Sequence, residues 1–260
     1  MNESCVSAMC SADEMMVVTA ASFLDRDDVT FVGIGLPSEA ANLARLTHAP
    51  NINLIYESGT IGTKPKILPL SIGDSELFEH ALCTVSVPEM FRYWLQGGRI
   101  KTGFLGAAQI DRFGNINTTV IGDYHDPKVR LPGSGGASDI AAHCHRIYIL
   151  LRHRPQSFVK KLDFVTSIGF GEGGDHRKRL GLQGQGPVKV ITDLGVLQPT
   201  GESNELTLVS IHPGIEVAHV KASTSWPLKI AENLTTTQLP SMHDLTVLRN
   251  LKLATAKSQR

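Results

Sequence analysis

Apolar residues recur at helical spacing from about Glu14 to Leu24, with Val17, Ala20, Ala21 and Leu24 on one stripe. Ser11 stands where the N-cap of that helix belongs. A β-rich run, Val29-Thr30-Phe31-Val32, follows and breaks at Gly33-Ile34-Gly35. A second helix is predicted to start at Pro37-Ser38 and to continue, rich in Ala and Leu, to Leu46. Proline suits the first helical turn because its missing N–H has no intrahelical partner there. A second strand, Asn53 to Tyr56, leads into Glu57-Ser58-Gly59. Helix, strand, helix, strand is the alternation of an α/β sheet with crossover helices.

The pattern stays mixed further on. Glu89 to Gln96 reads as an amphipathic helix stopped by Gly97-Gly98, and Thr102 to Leu105 as a short strand. Asn115 to Val120 alternates as a single strand should. Arg146 to Leu151, Phe164 to Thr166, Val188 to Thr192 and Leu206 to Ser210 are further predicted strands, and His243 to Leu253 a closing helix. No repeat, low-complexity tract or long linker divides the chain. The expected fold is α/β: a single mixed, mostly parallel open sheet flanked by helices, in one domain over 14–260 with 1–13 as an N-terminal extension.

Composition narrows the partners. With 260 residues, 42% of them hydrophobic, the chain can build a large core. Its 25 Lys+Arg against 25 Asp+Glu give no electrostatic reason to expect nucleic acid or an anionic membrane. Cys5, Cys10, Cys83 and Cys144 are scattered, with no CxxC pair, and are expected to be reduced thiols of a cytoplasmic protein. The first residues lack the basic and apolar regions of a secretory signal, and no apolar run is long enough for a membrane span.

Glycine marks the candidate chemistry. It clusters at Gly33/Gly35, Gly59/Gly62, Gly97/Gly98, Gly133/Gly135/Gly136 and Gly169/Gly171/Gly173/Gly174, several of them where strands should end. Ligands bind at that edge of open α/β sheets, although glycine is also ordinary turn punctuation. Gly33 to Ser38 half-matches the dinucleotide fingerprint GxGxxG, and Glu57 stands 22 residues beyond Gly35, about where that motif places its ribose-binding acid. Pro37 and the missing third glycine argue against nicotinamide.

Glu57 has two readings: a surface carboxylate paired with Lys64 or Lys66, or a base or nucleophile at the sheet's carboxyl edge. A carboxylate attacks a carbonyl only in a dry site furnished with oxyanion donors. The segment Leu131 to Ser138, small residues opening a helix, could supply backbone N–H groups of that kind. It lacks a P-loop ending, and no GxSxG elbow occurs. Asp123/His125 and Asp175/His176 fit no metal-ligand spacing, so no metal is expected. Gly171 to Arg177 is expected to be a surface loop, and Arg92-Tyr93-Trp94 one face of a packed helix.

Taken in order, VGIGLP (32–37), LIYESG (54–59), LPLSIGD ending at Asp74, FRYWLQGGRI (91–100), GFLGAAQIDRFGNINTTVIGDY (103–124), PKVRLPGSGGA (127–137) and GEGGDHRK (171–178) resemble the β subunits of family I CoA-transferases. The resemblance implies that Glu57 attacks a donor thioester to give an acyl–glutamyl anhydride, then a glutamyl-CoA thioester. It implies that Gly135, Gly136 and Ala137 line the oxyanion region, that Gly33 and Gly35 lie near the CoA thioester, and that Gln109 lies near the pocket. It further implies no resident cofactor, a coenzyme A thioester as substrate, and an α-subunit partner in an αβ or α2β2 assembly. The transfer it implies runs from succinyl-CoA to a 3-oxo dicarboxylate, 3-oxoadipate foremost. The alternative is a lyase or hydrolase of CoA-bound substrates with Glu57 as general base.

Overall fold

Ser11 and Glu14 form a capping box: Ser11 Oγ accepts from the Glu14 amide at 3.2 Å, and the Glu14 carboxylate accepts from the Ser11 amide at 2.8 Å. Helix α1 (Ala12–Ser22) starts from it. In the computed structural model, which describes residues 10–258, α1 is followed by β1 (Val29–Val32), α2 (Leu36–Leu46) and β2 (Asn53–Tyr56). The chain then doubles back through β3 (Thr60–Ile61), the short helix α3 (Ser75–Glu79) and β4 (Cys83–Thr84). After α4 (Val87–Glu89) and a π-helical segment (Met90–Leu95) come β5 (Thr102–Gly106), β6 (Gln109–Ile110), β7 (Ile116–Asn117), β8 (Val120–Gly122) and β9 (Pro127–Arg130). Helix α5 (Ala137–His143) leads to β10 (Arg146–Leu150), the short helix α6 (His176–Arg179) and β11 (Pro187–Ile191). The remainder is β12 (Gly195–Thr200), β13 (Glu205–Ile211), α7 (Val217–Ala222), β14 (Lys229–Thr236) and α8 (Met242–Ser258).

Ten strands make one sheet in the order β14-β13-β12-β11-β10-β5-β1-β2-β3-β4. Its centre, from β11 to β2, is parallel, and both flanks turn antiparallel at β11–β12 and β2–β3. Side chains alternate between two cores. Phe31, Ile55, Ile147 and Ile149 face one together with Met90, Leu95 and Ile140. Val32, Leu54, Tyr56, Tyr148 and Leu150 face the other with Val17, Ala20 and Leu43. Each fully buried side chain of this size contributes roughly 1.5–3 kcal/mol. At the amino ends of the strands, fully buried Asp28 accepts from Thr102 Oγ1 at 2.9 Å and pairs with Arg146, which fixes β5 and β10 against β1. That leaves the opposite edge to loops.

Three expectations change. The single strand over 115–120 is broken into β7 and β8, because Asn117 Oδ1 accepts from the Thr119 and Val120 amides and turns the chain. Phe164 to Thr166 forms no strand, since the Thr166 and Ser167 amides both converge on the Ile116 carbonyl and no ladder extends from there. The helix over 89–96 is π-helical from Met90, with the Gln96 amide bonded to Phe91 O at 2.9 Å. The boundary set at residue 13 falls inside α1, and residues 1–9, including Cys5, lie outside the described residues. Cys10, Cys83 and Cys144 are free thiols. Among the described residues no helix is long and apolar enough to cross a membrane.

Candidate active site

Val32 and Tyr56 are register partners on parallel strands, so Gly33 and Glu57 are the next residues at the same level of the carboxyl edge. The end of β2 is pinned from one side. Tyr56, fully buried, shares a 2.9 Å bond between its hydroxyl and Ser38 Oγ on α2, and Asn42 Nδ2 donates to the same hydroxyl at 3.4 Å. Arg45 holds Asn42 Oδ1 and the Pro65 carbonyl, tying the network to the segment after β3. Burial pushes the Tyr56 phenol above its ordinary pKa, so this group stays a neutral strut. Immediately after Glu57, Gly59 (φ 97°) turns the chain back so tightly that a Cβ there would run into the Val85 carbonyl. Glu57 is therefore displayed at a fixed point between a clamped strand and a hairpin turn.

Its carboxylate has no hydrogen bond or ion pair among the described residues, and the pairing with Lys64 or Lys66 is not made. The glycine turn before α5 faces it. A Cβ built on Gly136 would lie 2.8 Å from Glu57 Oε1, and one on Gly135 3.8 Å from the same oxygen. The turn is itself held in place: Gly133 N donates to Thr118 O and Thr118 Oγ1 donates to Gly133 O, both at 2.8 Å. Thr118 is anchored in turn by Thr166 Oγ1, which accepts from its amide at 2.9 Å. The Gly135 and Gly136 amides donate to no acceptor among the described residues. A half-buried carboxylate without a partner thus lies beside a turn whose two glycine N–H groups have no acceptor among the described residues, the components a carbonyl-attacking site requires.

Phe91 closes the third side, since Cζ of its ring would be 2.7 Å from the same Cβ on Gly136. A mostly apolar crevice of about 240 Å³ runs along the turn between Ala107-Ala108 at the end of β5 and Leu131, Gly133, Ser134 and Ala137. Ala137 lines this crevice. Gly35, at φ 79°, caps α2, and a Cβ there would meet nothing within 4 Å; the backbone conformation, not crowding, asks for glycine. Gln109 is buried and engaged at both polar atoms: its Nε2 donates to Asp163 at 2.9 Å and its Oε1 accepts from Asn117 at 2.7 Å. That side chain braces β6 against β7, with both polar atoms engaged within the protein.

Two residues behind the site carry no sequence signal of their role. Thr118 clamps the glycine turn from within a segment that periodicity reads only as strand. Arg177, expected on a surface loop, is buried, and its guanidinium donates to the carbonyls of Gly169, Ala141 and Gln183. Ala141 belongs to α5, so Arg177 fastens the end of the helix whose beginning faces Glu57. Burial lowers its pKa to about 10. Glu76, Glu79 and His80 bring three potential metal-ligand atoms within 4.8 Å of one another, but the Glu76 carboxylate already accepts from the Lys66 and Ile67 amides.

Comparison with known proteins identifies the family and the fold. The family described as Coenzyme A transferase matches residues 13–223. The chain is 58% identical over 246 residues to one of the subunits of 3-oxoadipate CoA-transferase from Pseudomonas knackmussii, covering 95% of each. It is 37% identical over 225 residues to one of the subunits of glutaconate CoA-transferase from Acidaminococcus fermentans, covering 84% of each. The crystal structure of glutaconate coenzyme A-transferase from that organism superposes with a TM-score of 0.87 at 33% identity, covering 93% of this chain and 94% of that one. The parallel-centred sheet, the matched segments and the long coverage agree, and the chain belongs to the coenzyme A transferase family.

Proposed function

We propose that this chain is the nucleophile-bearing subunit of a heteromeric CoA-transferase that moves CoA from succinyl-CoA to a 3-oxo dicarboxylate, 3-oxoadipate. One observation carries the reading: the unpartnered Glu57 carboxylate lies against Gly136 and its unspent amide. The similarity to a 3-oxoadipate CoA-transferase over nearly the whole chain supports the acceptor. That relative is one subunit of its enzyme, which supports an α-type partner here.

The chemistry follows from that placement. Glu57 Oε1 attacks the thioester carbonyl of the donor, a C–O bond forms, and the oxyanion is met by the Gly135 and Gly136 N–H groups. CoA leaves as thiolate with the breaking of the C–S bond, and an acyl–glutamyl anhydride remains. The thiolate then attacks the glutamyl carbonyl, releasing succinate and leaving CoA as a thioester on Glu57. The acceptor carboxylate takes the CoA by the same steps in reverse. Every intermediate stays activated, so the exchange needs neither ATP nor a resident cofactor, provided water is excluded. Acyl-CoA and dicarboxylate are cytoplasmic metabolites in this reading, and cytoplasm is its setting. The crevice beside Ala107 and Leu131 has the apolar lining that suits the methylenes of a short acid.

The test is chemical. The complex of this chain with its partner subunit is incubated with succinyl-CoA alone, trapped with hydroxylamine or borohydride, and digested. The modification maps to Glu57; an active complex that never carries it refutes the nucleophile.

A further inference from the structure

The π-helical segment has a use beyond connecting α4 to β5. Its first and last residues, Met90 and Leu95, are fully buried and anchor it in the core. It also rests on α5, where Gln96 Nε2 donates to Asp139 at 3.3 Å. Between those anchors the wider helical turn carries Phe91, half-buried, toward the glycine turn. Its ring meets Phe31 edge-on, with centroids 6.2 Å apart at 64°, and that contact backs it from the core. Its Cζ and Cε1 would stand 2.7 and 2.9 Å from a Cβ on Gly136, the same point that lies 2.8 Å from Glu57 Oε1. An aromatic edge is the positive part of the ring's quadrupole, so it tolerates a carboxylate or an oxyanion beside it while offering water no hydrogen bond.

We propose that Phe91 is the wall that keeps water from the activated Glu57 carbonyl, and so sets the ratio of CoA transfer to CoA-ester hydrolysis. The inference rests on the reading of Glu57 as nucleophile. In the reaction held back, water oxygen bonds to the carbonyl carbon of the glutamyl-CoA thioester and the C–S bond breaks. The departing thiolate takes one of water's protons, the other goes to solvent, and Glu57 returns as a carboxylate. The sum is hydrolysis of the donor thioester to acid and free CoA. Phe91 touches neither electron pair; it controls access.

The assembled complex is given succinyl-CoA with and without saturating 3-oxoadipate. Free thiol is followed as hydrolysis and the new CoA ester as transfer. Phe91→Ala is expected to raise the hydrolysis-to-transfer ratio about tenfold or more, whereas Phe91→Met, which keeps an apolar side chain of similar reach, stays within about threefold of the parent. A role limited to packing would lower both rates in proportion and leave the ratio alone, and that result overturns the proposal. If Phe91→Ala does not assemble, Phe91→Val decides by the same ratio, a rise supporting the wall and constancy overturning it. A parent complex that transfers CoA but never carries an adduct on Glu57 overturns the nucleophile reading instead. An adduct on Glu57 with a constant ratio overturns only the wall.

Discussion

Glu57 Oε1 lies 2.8 Å from the point where a Cβ on Gly136 would sit, so the two residues approach one another only because position 136 has no side chain. The backbone of Gly136 (φ −82°, ψ −1°) is one that alanine adopts freely. Gly136→Ala therefore leaves the backbone conformation alone and crowds both Glu57 Oε1 and the Phe91 ring, whose Cζ lies 2.7 Å from the same point. Turnover should fall about a hundredfold, the order expected when a reacting group is displaced by an ångström. Thermal stability of the complex, read by scanning calorimetry, should change far less than that loss suggests.

Glu57→Gln removes the proposed nucleophile and leaves the shape. The side chain has no partner to lose, so unfolding free energy should move by less than about 0.5 kcal/mol. Transfer should drop by about a thousandfold or more, because an amide cannot form the anhydride. Urea melts and a CoA-exchange assay on the same preparation separate the two effects; a variant with a tenth of parental turnover would contradict the assignment.

Thr118→Val keeps the volume at the clamp and deletes the hydroxyl that donates to Gly133 O. One neutral hydrogen bond is worth about 1 kcal/mol of stability. The more telling loss is in kcat, expected at about tenfold as the donors loosen, with KM for the CoA ester nearly unchanged. Steady-state kinetics that place the whole effect in KM would show that the turn binds substrate but does not stabilise the reaction.

Acid should unsettle the fold through a buried histidine. His153 lies under Phe158 at 3.6 Å between ring centroids and bonds Thr224 Oγ1 at 2.8 Å, and burial lowers its pKa to about 4. The unfolded chain protonates near 6.5 while the native protein stays neutral. The stabilisation is thus complete above about pH 6.5 and declines as pH falls toward 4, at a limiting slope of about 1.4 kcal/mol per pH unit. Urea midpoints at pH 7 and pH 4.5 should differ clearly in the parent and by less in His153→Gln. His212, also lowered by burial, supplies part of the remaining slope.

Local chemistry makes the first sixty residues legible. Ser11 announces a helix start, Pro37-Ser38 another, and the apolar runs of β1 and β2 are short and sharply bounded. Glu57 and the glycine turn stand out because strand ends and small residues carry sites in such sheets. The features that periodicity misses depend on side-chain partners. Asn117 divides a well-patterned strand through its own side chain, which an apolar–polar alternation does not weigh. Arg177 looks solvated among glycines, yet its charge is met by main-chain carbonyls instead of carboxylates, and carbonyls leave no trace in a residue pattern. Gln109 looks pocket-lining from its place in a matched segment, but its amide is spent on Asp163 and Asn117.

The acid and its donors stand nearly eighty positions apart along the polypeptide and are brought together by the pairing of β2, β1 and β5 and the packing of α5 on that sheet. A ribosome releasing this chain has delivered Glu57 long before Gly136 exists to meet it, and contacts of such long range form late in folding. On the proposed role of Glu57, the emerging polypeptide therefore lacks the backbone donors it would need to attack a thioester.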